Sequence, residues 1–189
     1  DALSREDKLR ILRGAVRNVA IVAAEFSHQP RLFRRGFAGQ VRFEGLERLP
    51  AEGGCVLVGG HLGNWEWMAP ALASQGLRLA GVVRPLDAPA LNRFVDGTRR
   101  GAGVTTIPKT AAGPVLLRLL KEGWFAGLLI DQSPRNSAAP VQFFGAPCWA
   151  TIGPVMAAVR AKTPVLLCTL IREADGTYRL RITDPVELT

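Results

Sequence analysis

The chain has 189 residues, 48% apolar and 21% charged, which is enough material for one domain with a sizeable core. Those proportions exclude intrinsic disorder and a disulfide-stapled miniprotein, and no apolar run approaches the roughly 20 residues that cross a bilayer. The 24 Lys and Arg against 16 Asp and Glu leave a formal charge of +8, a surface that attracts nucleic acid, phosphate-bearing lipid or an acidic carrier protein. Cys55, Cys148 and Cys168 lie far apart in apolar contexts, which predicts buried thiols in a reducing compartment. Two histidines are too few for a zinc pattern. The sequence opens on Asp1 without a basic-then-apolar leader, which predicts a processed chain or one cut from a longer protein.

Taken from the amino end, Ser4 with Asp7 three residues on marks a helix start. Leu9, Leu12, Val16, Val19 and Phe26 then recur at helical spacing, with Arg10, Arg13 and Arg17 on another face. The pattern predicts an amphipathic helix with a basic flank, packed on the core or, alternatively, laid on a membrane surface. A Pro- and Arg-rich link follows from His28 to Gly36, so that residues 1–36 form a helix and link packed on a single catalytic domain. Beyond it, strands are predicted over Gln40–Glu44, Cys55–Gly59, Leu79–Val83, Val104–Ile107, Phe125–Ile130, Val165–Ile171 and Tyr178–Ile182. Helices are predicted between them, over Trp65–Ser74, Ala88–Arg100, Ala111–Lys121 and Ile152–Ala161. This alternation argues an α/β fold with a mixed, largely parallel sheet of about seven strands flanked by helices, closed by a hairpin turning at Ala174-Asp175-Gly176.

The segment Cys55-Val-Leu-Val-Gly-Gly-His61-Leu-Gly-Asn-Trp-Glu66 runs an apolar strand into two glycines, a histidine and then a helix capped by Asn64. His61 therefore stands at the carboxyl end of a strand, the edge where open α/β sheets bind ligands. On one straight helix His61 and Glu66 would point about 140° apart. A turn at Gly63-Asn64 lets the Glu66 carboxylate fold back on the imidazole, giving a His61/Glu66 general-base dyad. The competing reading is a surface histidine beside a glutamate that answers the helix dipole. Arg84 and Asp131-Gln132 also follow apolar strands and belong to the same edge. His28 has no acidic neighbour and is incidental, and Trp65, Trp67, Trp124 and Trp149 are assigned to packing, the alternative being an interfacial belt.

Gly-His61-Leu-Gly63-Asn64-Trp-Glu66, Val-Val-Arg84-Pro-Leu-Asp-Ala-Pro, Arg99-Arg100 with Gly103, Asp131-Gln132, Phe143-Phe144-Gly145-Ala-Pro147 and Ala161-Lys-Thr-Pro164-Val-Leu occur in an order and spacing that resembles the bacterial lipid A biosynthesis acyltransferases. These are the lauroyl and myristoyl transferases of the wider glycerolipid acyltransferase superfamily, and the likeness covers nearly the whole chain. It implies transfer of a fatty acyl group from an acyl carrier protein thioester to a hydroxyl of a glycolipid acceptor, at the cytoplasmic face of the inner membrane. His61 would take the hydroxyl proton and Glu66 would orient it, with no metal and no cofactor beyond the acyl carrier protein or coenzyme A thioester as co-substrate. It also implies peripheral contact with an anionic membrane surface, and a chain shorter at both ends than its relatives.

Arg84, Arg99 and Arg100 suit phosphates of the acceptor or of a pantetheine arm through bidentate bonds, or form a solvated basic face. Asp131 and Gln132 would position substrate or support Arg84, the alternative being a turn before Ser133-Pro134. Gly63 and Asn64 would lie at the substrate. Phe144 and Gly145 stand where many superfamily relatives carry a Phe-Pro-Glu-Gly phosphate loop, as loop, acyl-tunnel lining or core. Three other functions compete: an acyl-CoA-dependent transferase acting on a glycolipid such as a phosphatidylinositol mannoside, a thioesterase or esterase, and a non-catalytic basic module for anionic lipid or nucleic acid. The esterase lacks a Gly-x-Ser-x-Gly elbow, and no nucleic-acid motif occurs, so nucleic acid is not expected as a partner.

Overall fold

The computed structural model describes residues 3–132 and 138–187. In chain order the elements are α1 (Arg5–Phe26), α2 (Gln29–Arg34), β1 (Val41–Glu44), β2 (Cys55–Gly59), α3 (Trp65–Ala73), β3 (Leu79–Val83), α4 (Pro89–Gly101) and β4 (Val104–Pro108). They continue with α5 (Ala112–Lys121), β5 (Phe125–Leu129), β6 (Ala138–Phe143), β7 (Ala146–Thr151), α6 (Gly153–Ala161), β8 (Val165–Arg172) and β9 (Tyr178–Pro185). Seven strands form one mixed sheet in the order β1-β9-β8-β2-β5-β3-β4. From β8 to β4 the strands run parallel, and β9 turns back antiparallel to β8 with β1 parallel beside it.

β2 lies near the middle of the sheet and is buried along its whole length. Helices cover both faces of a parallel sheet, so such a strand is apolar at every position instead of alternating. Its side chains still divide by strand periodicity. Cys55 and Leu57 enter a core with Trp67, Met68 and Leu72 of α3, whereas Val56 and Val58 enter a second core with Leu116, Leu119 and Leu120 of α5 and Ala158 of α6. Each fully buried Leu or Val contributes about 1.5–3 kcal/mol over its exposed state. The two cores clamp β2 from both sides and so fix where its carboxyl end emerges.

Three features depart from the sequence-based expectations. The His28–Gly36 link contains a short helix, α2, opened by Pro30, whose preset φ suits a first helical turn. α1 starts as expected, with the Ser4 hydroxyl accepting the Asp7 N–H at 3.0 Å. Its apolar stripe is nevertheless not packed: Leu12, Val16 and Val19 are each more than half exposed, and only Val22 and Phe26 are buried. Third, β6 and β7 form a separate antiparallel hairpin with Phe143 opposite Ala146. Its two-residue turn needs positive φ at both positions, supplied by Phe144 (49°) and Gly145 (76°). A phenylalanine at such a position and a proline inside β6 hide the hairpin from pattern reading. Of the cysteines, Cys55 and Cys168 are buried and their thiols are pushed up to about 12 by desolvation, but Cys148 on β7 is exposed.

Candidate active site

The loop from Gly60 to Asn64 joins β2 to α3 and carries His61. β2 and β5 are adjacent and in register, Gly59 opposite Leu129, and the Ile130 N–H donates to Gly59 O at 3.0 Å. The residues just beyond the two strands therefore meet. The Asp131 carboxylate accepts the His61 backbone N–H at Oδ2 and faces His61 Nδ1 at Oδ1, each at 2.7 Å. An ionised carboxylate only accepts, so Nδ1–H is the donor, and in the neutral ring Nε2 is the nitrogen with the lone pair. Burial opposes the charged carboxylate, yet the bonds from His61 outweigh it and hold the Asp131 carboxyl below its ordinary value. The imidazole also packs edge-on against the Trp65 ring at 5.2 Å.

This pairing corrects the expected dyad. Glu66 does not fold back on His61: it lies in the first turn of α3 facing α4, where Arg99 donates to it twice, through Nε at 3.1 Å and a terminal nitrogen at 2.7 Å. Both side chains are largely buried, and Arg99 also leans over the Phe26 ring at 5.9 Å. The reason is tertiary, because a neighbouring strand end reaches the imidazole more directly than the next helix does.

His61 and Glu66 open into one cavity of about 1800 Å³ above the carboxyl ends of β2, β5, β3 and β4. Val19, Val22 and Phe26 of α1 with Leu91 and Phe94 of α4 form one wall. Leu116 and Leu117 of α5 with Pro154, Met156 and Ala157 of α6 form another. A drug-sized ligand needs only roughly 300–1,000 Å³, so the space accommodates long lipid chains. Arg84, Arg99, Arg100 and Gln132 line it. Their states differ: Arg99 is committed to Glu66 and Arg100 to Asp96, whereas Arg84 is 77% exposed and only 3.4 Å from Asp87. Lys109 and Arg160 line it too and were missed. Lys109 follows β4 as Arg84 follows β3, so the strand-end argument applies to it equally, while nothing local marks Arg160 on α6.

Four other assignments are changed by position. Asn64 is fully buried with both ends of its amide engaged inside the protein, and Gly63 lies close against the Leu170 carbonyl, so neither lines the cavity. Phe144 is 95% exposed at the hairpin tip, with Gly145 beside it, and the pair is neither core nor cavity wall. Among the described residues no His, Cys, Asp and Glu cluster has the makings of a metal site.

A largely parallel α/β sheet whose strand ends present a carboxylate-backed histidine to a large, mostly apolar cavity has the layout of an enzyme site. The sequence matches the bacterial lipid A biosynthesis acyltransferase family over residues 2–189, and the chain belongs to that family. It is an acyltransferase. A crystal structure of the 1-acyl-sn-glycerophosphate (LPA) acyltransferase PlsC from Thermotoga maritima is similar at 18% identity and a TM-score of 0.46, covering 90% of this chain and 70% of that one. No curated protein matches the chain by sequence.

Proposed function

We propose that the enzyme moves a fatty acyl group from an acyl carrier protein thioester to a hydroxyl of a lipid A-type glycolipid precursor, with His61 as general base and Asp131 as the carboxylate that orients it. The carrying observation is the pair of 2.7 Å contacts from Asp131, which set the ring so that Nε2 is the free acceptor. In the reaction Nε2 takes the acceptor hydroxyl proton while that oxygen attacks the thioester carbonyl carbon. The tetrahedral adduct then expels the thiolate, and the imidazolium returns its proton to the sulfur. The products are the ester and the free carrier thiol, so the ring ends as it began.

The apolar walls are where the acyl chain lies, and phosphate groups of acceptor or carrier dock at Arg84, held only by a long, exposed pair with Asp87, and at Lys109 and Arg160, which pair with no carboxylate among the described residues. Glu66 and Arg99 cancel each other's charge beside the base and shape the cavity instead of holding a phosphate. The net charge of +8 and the exposed apolar stripe of α1 support work at the cytoplasmic face of an anionic inner membrane. No helix among the described residues is long and apolar enough to cross a membrane.

The test is acyl transfer by purified protein from acyl carrier protein or coenzyme A thioesters to a detergent-solubilised phosphorylated glycolipid. Acceptor-dependent ester formation is expected, and His61→Ala should lower kcat by roughly 10²–10⁴-fold. Fatty acid released equally without acceptor would overturn the reading in favour of a hydrolase.

A further inference from the structure

The catalytic loop is short, and loops tend to be the softest part of a site unless something ties them down. Here the tie comes from the far side. The Asn64 N–H donates to Leu170 O at 3.1 Å, and Asn18 of α1 donates to Gly63 O at 2.9 Å. Asn64 Oδ1 accepts the Trp67 N–H at 3.1 Å and so caps α3, while its Nδ2 donates to Glu25 Oε2 at 2.8 Å. Capping needs only the oxygen. The nitrogen reaches 39 residues back along the chain to a carboxylate that already has other partners.

That carboxylate receives Tyr178 at 2.5 Å and Arg172 at 2.9 and 3.0 Å as well. Four donors from α3's cap, β8 and β9 fill the roughly four lone-pair positions a carboxylate offers. Burial disfavours the charge, but Arg172, Tyr178 and Asn64 together hold the Glu25 carboxyl below its ordinary value. The main chain of Glu25 is used too, its carbonyl accepting the Trp67 indole N–H at 3.2 Å.

We propose that Glu25 is a positioning residue for the reaction: its carboxylate binds Asn64 to the ends of β8 and β9 and thereby fixes the loop that carries His61. The proposal rests on the reading of His61 as the base. α1 is thus a strap whose outer half is bare and whose inner half, through Asn18 and Glu25, sets the reacting group. A misplacement of about 1 Å in a reacting group can cost about 10²-fold in rate, so a node three residues from His61 has leverage.

The experiment is a reversal of polarity across the 25–64 contact. Glu25→Gln sets an amide NH₂ among three donors, and Asn64→Asp keeps a competent cap but faces one carboxylate with another. Each single variant should lose about tenfold or more in kcat with KM for the thioester within about twofold. The double variant restores a donor facing an acceptor, and kcat should return to within about threefold of wild type, the coupling that a double-mutant cycle reads. The chain has two histidines, so ¹⁵N spectra resolve both rings. His61 signals should shift in each single variant and return in the double.

Unchanged kcat and unmoved His61 signals in the single variants, or losses that multiply in the double, would overturn the proposal. If Glu25→Gln does not fold, Tyr178→Phe decides: it removes one donor and keeps the ring, and should cost about threefold in kcat with shifted His61 signals. Wild-type values for that variant would sink the idea. The ring signals need no substrate, so a mistaken reaction appears as an inactive wild type with the same pattern of shifts. A mistaken Glu25 appears as shifts that never occur.

Discussion

Asp131 lies against His61 and Glu66 against Arg99, and these partners separate the two carboxylates. Asp131 bonds the ring and the backbone of His61 at once, so it controls both tautomer and placement. Asp131→Asn keeps the size of the side chain but removes the acceptor-only character that fixes Nδ1–H. It should lower kcat by roughly 10²-fold or more while leaving thermal stability near wild type, as measured by transfer kinetics beside a melting curve. A loss confined to KM would show that Asp131 holds substrate instead. That His61 sits at the carboxyl edge of the sheet, where the cavity opens, was legible from apolar strand, glycines and helix start in sequence. Its partner was not, because residues 61 and 131 are brought together only by the pairing of β2 with β5.

The helices divide into those held by the core and one held mainly by polar bonds. α3 buries Trp67, Met68 and Leu72 beneath the sheet, and Trp67 packs edge-on against Phe37 at 5.6 Å and tilted against Tyr178 at 5.2 Å. Leu72→Ala should therefore destabilise the protein by about 2–5 kcal/mol, a cavity cost read by urea unfolding. Leu12→Ser on α1, at a side chain 57% exposed, should stay within about 0.5 kcal/mol of wild type in the same experiment. Equal losses would mean that the stripe of α1 is covered by protein. Sequence periodicity located both helices, since burying one face demands a repeat near 3.6 residues. It did not separate a face that meets the core from one that meets water, because both show the same spacing.

For the molecule as a whole, the Glu25 node joins α1, the loop that carries His61 and the last two strands, so its ionisation contributes to global stability. Its folded value is depressed, hence the contribution is complete above the ordinary glutamate value of about 4.3 and is lost as pH falls through the lower folded value. Wild type should lose stability steeply below about pH 4.3, and Glu25→Gln should be less stable at pH 7 but flatter across that window. Urea midpoints taken from pH 7 down to pH 3 check this, and parallel curves for the two proteins would exclude Glu25 as a contributor.

By itself the sequence determined the order of the seven sheet strands and of five of the helices, the largely parallel α/β architecture and the sheet edge at which His61 stands. Those follow from local periodicity and from strand-to-helix junctions, which neighbouring residues encode. The partner of His61, the neutralising of Arg99 by Glu66, and the strap from Glu25 to Asn64 were decided only in three dimensions. Each joins residues 33 to 70 positions apart, and which carboxylate meets which cation depends on the order in which the strands lie side by side.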